Sequence, residues 1–354
     1  MRRRTLIPGL LAAAIGLYPG DTASLSAQQL PAEYKPDLRI GKQDGTGPDV
    51  FARVAGLEVD DAGRIFVLDA LNYRVAVFNI DGTPVRAFGA KGPGPGEMER
   101  PMGISWYGPG ELVVIDLTKY VVFDTTGRHL RTFRRTSVLL QSPYAGSAAN
   151  GTVCDVSSNP NGPSFFIARG DSILSTLAIA DSAPPSVEIA PGRRVGTPNA
   201  PRIFYQVDCA RQAVWRFHSF DSLVYVLGFK GDTLRRIPHG FARREISADA
   251  RSEAINMIAK STGASVAALD KVTPRVGSYF VDAFIGRGGV LWIAPAPPPG
   301  TGRVYTVIAP DGSRSTARLA GFDPTVRPLA TGAAVYGVVN GANDVDYVVR
   351  LRRQ

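Results

Sequence analysis

The stretch Gly63-Arg64-Ile65-Phe66-Val67-Leu68-Asp69 decides how this 354-residue chain is read, because Gly110-Glu111-Leu112-Val113-Val114-Ile115-Asp116 repeats it 47 positions later. Each copy is a glycine, a charged residue, an apolar run rich in β-branched side chains, and an aspartate. An apolar run of this length bounded by turn residues reads as a fully buried strand. Outward from the first copy, Arg74-Val75-Ala76-Val77-Phe78-Asn79-Ile80-Asp81-Gly82 is matched by Tyr120-Val121-Val122-Phe123-Asp124-Thr125-Thr126-Gly127. A further short strand follows each glycine, Pro84 to Phe88 and His129 to Phe133. Asp-Gly and Thr-Gly supply the hairpin chemistry between them.

Weaker copies follow. Tyr305-Thr306-Val307-Ile308-Ala309-Pro310-Asp311-Gly312 repeats a strand and its turn, and Gly289-Val290-Leu291-Trp292-Ile293-Ala294 precedes it. Val214 to Phe217, Leu223 to Phe229 and Thr233 to Arg235 form another set, Ser164 to Ala168 and Ser172 to Ala180 a degenerate one, and Ala333 to Val339 with Asp346 to Leu351 the last. Several strands repeating every ~45 residues are the mark of propeller blades. Units starting near residues 54, 102, 144, 202, 278 and 326 give an all-β, six-bladed β-propeller over 54–354. The last unit is one strand short. Leu38-Arg39-Ile40-Gly41, within an N-terminal segment 28–53, is spare and is expected to supply the ring-closing strand, which leaves few open edges.

Val54 to Arg134 resembles the NHL-type six-bladed propeller repeat. The matching residues are Gly63, the run Asp69-x-x-Asn72-Tyr73-Arg74-Val75-x-Val77-Phe78, Asp81-Gly82, Phe88-Gly89, and the connector Gly92-x-Gly94-Pro95-Gly96-Glu97-Met98-x-x-Pro101-x-Gly103-Ile104. The second unit keeps Asp116 and Tyr120 but lacks the Asn-x-Arg element, and later units match by strand rhythm alone. The chain is similar to exported bacterial propellers of unassigned function. The resemblance implies a binding scaffold. It also implies an alternative, a metal-dependent enzyme of the lyase or lactonase type with its site in the central channel. Fold alone does not choose between them.

Residues 1–27 read as a cleaved signal peptide: Arg2-Arg3-Arg4, an apolar stretch from Leu6 to Leu17, then Ala23-Ser24-Leu25-Ser26-Ala27. The apolar core is too short for a membrane span, and no later stretch qualifies, so the product is expected in the periplasm or outside the cell, a monomer with no membrane insertion. The chain carries 40 Lys+Arg against 31 Asp+Glu, a net charge of +9, and removal of Arg2, Arg3, Arg4 and Asp21 leaves about +7. The surplus is scattered, in pairs such as Arg193-Arg194 and Arg235-Arg236, and an exported address turns it away from nucleic acid. Cys154 and Cys209, the only cysteines, are either one disulfide or two buried thiols.

Asp69, Asn72 and Arg74 in the first unit, and Asp116, Lys119 and Tyr120 in the second, are the candidate ligand-binding residues, a polar rim around one mouth of the ring. Local turn capping explains the same residue types without any ligand. No nucleophile motif appears, so no catalytic residue is assigned. Only His129, His218 and His239 are available as imidazole ligands, and they do not fall where a channel metal needs them. No cofactor is assigned, though oxygen ligands leave calcium open. The partner is expected to be a protein, peptide or glycan. Ile246, Ala250, Ala254, Ile255, Ile258 and Ala259 recur at helical spacing and Ala264 to Val272 follows, so 238–274 is a helical insertion. It is either a lid or partner surface, or filler between the fourth and fifth units.

Overall fold

The computed structural model describes residues 31–135, 147–159, 162–295, 303–319, 322 and 326–354. The signal-peptide reading of 1–27 lies outside them. The described chain is a six-bladed β-propeller. Each blade is a four-stranded antiparallel sheet, and the inner strands begin at Val54, Pro101, Ser147, Ile203, Phe280 and Leu329.

The two middle strands of each blade are sandwiched by neighbouring blades on both faces, which is why their sequences are continuous rather than alternating apolar runs. All of Ile65–Asp69 is buried, and so is all of Arg74–Phe78 except Arg74 itself. The outer strands face water: Val85 and Ala87 of Pro84–Phe88 are exposed. Six apolar clusters fill the six seams. Between blades 1 and 2, for example, Phe66, Leu68, Val75 and Val77 pack on Ile104, Leu112, Val114 and Phe123, and Phe66 meets Trp106 edge-to-face with centroids 5.4 Å apart. Burying each such side chain contributes about 1.5–3 kcal/mol, so the ring is held by its seams as much as by its sheets.

Blade 6 is completed by the strand Ala32–Ile40, which pairs antiparallel with Asp346–Arg353. Its first residues also pair with blade 5, Ala32 with Ala317 and Glu33 with Arg318, so the outer edges of blades 5 and 6 share one strand. The junction carries a fork of charge: Arg350 Nε and Nη2 donate to the two Asp37 oxygens at 2.8 and 3.0 Å. The Asp81-Gly82 turn of blade 1 lies against it. Gly82 has φ +85°, a left-handed conformation that the turn reserves for glycine, and a Cβ there would also stand 2.7 Å from Leu38 Cδ1.

A disulfide joins Cys154 in blade 3 to Cys209, just past the inner strand of blade 4. The helical insertion is α1 (Ala248–Thr262) and α2 (Val266–Val272). Ser247 Oγ accepts from Ala250 N at the start of α1, and Gly263 (φ +78°) ends it in the left-handed region. The pair does more than fill space between blades 4 and 5. Ile255, Ala264 and Leu269 pack on Val187 and Ile189, which belong to a hairpin (Ser186–Ala190 with Arg193–Gly196) in the preceding connector. No sequence pattern marks that hairpin, because its strands are short and mostly exposed. Both long connectors run from an outer strand to the next inner strand, so the lobe they build stands at the end of the ring where inner strands begin.

Candidate binding site in the central channel

The inner strands of all six blades surround a channel of about 1280 Å³. Because each blade repeats the same strand order, the inner strands run in one direction and the channel has two unlike ends. At the far end sit Glu58, Asp208, Arg211 and Arg287; at the near end, where inner strands begin, sit Arg53, Arg100, Arg327 and Asp344.

The far end is lined by charge pairs. Arg287, in the turn after the blade 5 inner strand, donates to Glu58 Oε2 of blade 1 at 2.9 Å and also to the Val59 carbonyl. It bridges past blade 6, whose inner strand is only Leu329–Ala330. Arg211 Nη1 donates to Asp208 Oδ2 at 2.8 Å. Burial pushes the Glu58 carboxyl up to about 7, against the pull of Arg287. Midway, the Gln206 amide clamps blade 4 to blade 5, donating to the Ile285 carbonyl at 3.1 Å and accepting from its N–H at 2.8 Å.

At the near end the residue before the inner strand is held in the same way in blades 1, 2 and 4. Arg53 N donates to Asp69 Oδ1 at 3.1 Å, and Ala70 N donates back to the Arg53 carbonyl. Arg100 N donates to Asp116 at 3.1 Å, and Leu117 N to the Arg100 carbonyl. In blade 4 serine takes the role, with Arg202 N donating to Ser219 Oγ at 2.9 Å. The strand-end aspartates are therefore buckles that hold the incoming connector.

This fixes where the sequence-derived site residues stand. Asp69 is fully buried, and its second oxygen receives Asn72 Nδ2 at 2.7 Å and Arg74 Nη2 at 3.1 Å. Arg74 also donates to the Val50 carbonyl at 2.7 Å. In blade 2, Asp116 is fully buried among the Glu99, Arg100 and Leu117 N–H groups. Lys119 Nζ donates to the Gly92 carbonyl at 3.2 Å. Tyr120 Oη donates to Asp155 at 2.6 Å, and Arg135 Nε grips the same carboxylate at 2.6 Å inside the seam to blade 3. The blade 1 trio is one cluster around Asp69. Asp116, Lys119 and Tyr120 are not brought together: they face three different partners. Arg53 and Arg100, which line the channel at this end, each stand one residue ahead of the inner strand, in a position with no motif to mark it.

A metal set of the lyase kind does not fit the described residues. His129 Nε2 lies 2.8 Å from Thr132 Oγ1 on an outer strand, His218 Nδ1 lies 3.2 Å from Asp221, and His239 is buried against Phe241 and Tyr279. Among the described residues no three of His, Cys, Asp and Glu form a group able to hold a metal ion.

Residues 47–142, which span blades 1 and 2, match the DUF5128 family, described as a 6-bladed beta-propeller. No curated protein matches the chain. Among solved structures, one similar chain is a protein from Bacteroides fragilis described as exported, 14% identical, TM-score 0.48, covering 91% of this chain and 95% of that one. A member of the DUF4221 family from Bacteroides vulgatus is 10% identical, TM-score 0.48, covering 92% and 98%. Virginiamycin B lyase from Staphylococcus aureus is 12% identical, TM-score 0.37, covering 91% and 100%.

Proposed function

We propose that this protein is an exported binding module whose ligand enters the central channel from the end where the inner strands begin. The observation that carries the reading is the channel itself, about 1280 Å³ and lined from all six blades. Concave sites of this size, walled by rigid elements with a few converging polar groups, are the usual places for ligands. At the far end the Arg287–Glu58 pair and the Arg211–Asp208 pair line the rim, whereas the Arg53 and Arg100 side chains at the near end are uncommitted, so the near end is taken as the entrance. Export is supported by the basic-then-apolar pattern of residues 1–27 and by the Cys154–Cys209 disulfide, which persists in oxidising compartments. No helix among the described residues is long and apolar enough to cross a membrane.

The test is a glycan and peptide array probed with residues 28–354 and with an Ala52→Trp variant. Ala52 is exposed and lines the near end, so tryptophan there obstructs the channel without disturbing a seam. Ligands captured by the unmodified protein and lost by Ala52→Trp support the reading. Capture that the plug leaves unchanged overturns it.

A further inference from the structure

We infer that Arg53 and Arg100 form an oxyanion-binding site at the near mouth of the channel, for a ligand carrying two or more carboxylate or phosphate groups; this rests on the channel reading above. Both residues line the channel and both are exposed. Neither side chain has a hydrogen-bonding or ion-pair partner among the described residues, although both backbones do. Other arginines of the blades are committed, Arg74, Arg135, Arg216, Arg287, Arg303 and Arg350 each holding a carboxylate; what distinguishes Arg53 and Arg100 from further unpaired surface arginines is their place on the channel lining.

The placement is built, because the backbone of each arginine is pinned on both sides. Its N–H goes to the strand-end aspartate, and its carbonyl receives the N–H of the residue after that aspartate. The fold spends the main chain there and leaves the side chain over. Blade 4 shows that the position does not itself demand this outcome, since Arg202 turns aside and donates to the Val281 carbonyl at 3.3 Å. Blades 1 and 2 are neighbours, so their two forks share one arc of the mouth, and Arg327 of blade 6 lines the channel on the other side of blade 1. Two carboxylates also line this end. Asp346 accepts from Val54 N at 2.7 Å and from Asn340 at 3.3 Å, which occupies it in the seam, and Asp344 is exposed. In formal charge, the three guanidiniums of Arg53, Arg100 and Arg327 stand with the two carboxylates of Asp344 and Asp346 on the channel lining at this end. A guanidinium fork matches a carboxylate or phosphate edge with two parallel hydrogen bonds, and a concave wall of low dielectric strengthens them. Two forks on adjacent blades favour a ligand that presents anions in series over a single ion.

The experiment is calorimetric titration of residues 28–354 with tetragalacturonate, with inorganic tripolyphosphate and with a neutral tetrasaccharide. It is repeated on Arg53→Gln/Arg100→Gln and on Arg193→Gln/Arg353→Gln, which removes the same charge from exposed positions elsewhere. The expected result is binding of one or both anions, weakened by about tenfold or more in the mouth variant and unchanged in the control. Which anion binds identifies carboxylate or phosphate as the source. Equal weakening in both variants reduces the effect to overall charge and overturns the site, as does the absence of anion binding. Array ligands lost by Ala52→Trp but kept by Arg53→Gln/Arg100→Gln leave the channel reading standing and sink the oxyanion site alone. If Ala52→Trp loses nothing, both fall.

Discussion

Arg287 of blade 5 holds Glu58 of blade 1 at 2.9 Å, across the place where blade 6 contributes a two-residue inner strand. The bridge stands in for the missing stretch of wall. Its carboxyl end is the more sensitive partner, because burial raises Glu58 to about 7. A folded state that keeps a proton which the unfolded chain has released loses stability as pH rises from 4.5 toward 7. Glu58→Gln is therefore expected to flatten that slope, each tenfold difference in proton affinity between the two states being worth about 1.4 kcal/mol at most. Urea midpoints of both proteins across the window check it; parallel pH profiles would sink the assignment.

His239 acts in the opposite sense. It is buried, its Nε2 lies 2.9 Å from the Asp221 carbonyl and its Nδ1 accepts from Phe241 N at 3.1 Å, an arrangement that requires the neutral ring. Burial holds its pKa below 6.5, so the unfolded chain takes up a proton first and stability is lost as pH falls below that value. Because this window overlaps that of Glu58, the effect is read in the Glu58→Gln background. There, His239→Gln should abolish the fall in thermal midpoint below pH 6.5, while His239 proteins show it.

Reduction should loosen one seam in particular. The Cys154–Cys209 bond closes a 55-residue separation between blades 3 and 4. Chain entropy assigns such a loop roughly 4 kcal/mol. Cys154→Ala/Cys209→Ala is expected to lower the unfolding free energy by about that much and to make it indifferent to reductant. A double variant as stable as the oxidised parent contradicts this.

The buried group at the blade 2–blade 3 seam gives a graded series. Asp155 takes Arg135 twice and Tyr120 once, with the Arg135 and Asp155 side chains fully buried. Burial first, and then the Asp155 carboxylate, raise the Tyr120 hydroxyl well above its ordinary range, so it stays a donor. Asp155→Ala strands a buried guanidinium and should cost about 3–5 kcal/mol. Tyr120→Phe removes one bond of three and should cost about 1–2 kcal/mol. Denaturant unfolding separates the two, and equal costs would show that the seam relaxes around the group.

The blades were legible because their cues are local. Asp81-Gly82, Thr126-Gly127 and Asp311-Gly312 mark hairpins, and buried central strands show as unbroken apolar runs. The channel was not. Arg53 and Arg100 matter through where six inner strands converge, and nothing in their immediate sequence separates them from Arg134 or Arg169. Asp69 and Asp116 were visible as repeated aspartates, but a strand-end aspartate reads alike whether it meets a ligand or a backbone N–H. The hairpin under α1 and α2 leaves no mark in the sequence, because a short exposed pair of strands has no period to display.

Sharing a blade between the two ends of the described chain has a consequence for how the protein is assembled. Ala32–Ile40 leaves the ribosome before any blade exists, and Asp346–Arg353 follows more than 300 residues later, yet each is the other's sheet partner. Until both are present, blade 6 offers a bare edge and Asp37 has no arginine to hold. Closing the ring therefore depends on pairing two segments more than 300 residues apart, the kind of non-local contact that slows folding. Blades 1 to 5 then resemble an open necklace awaiting its clasp.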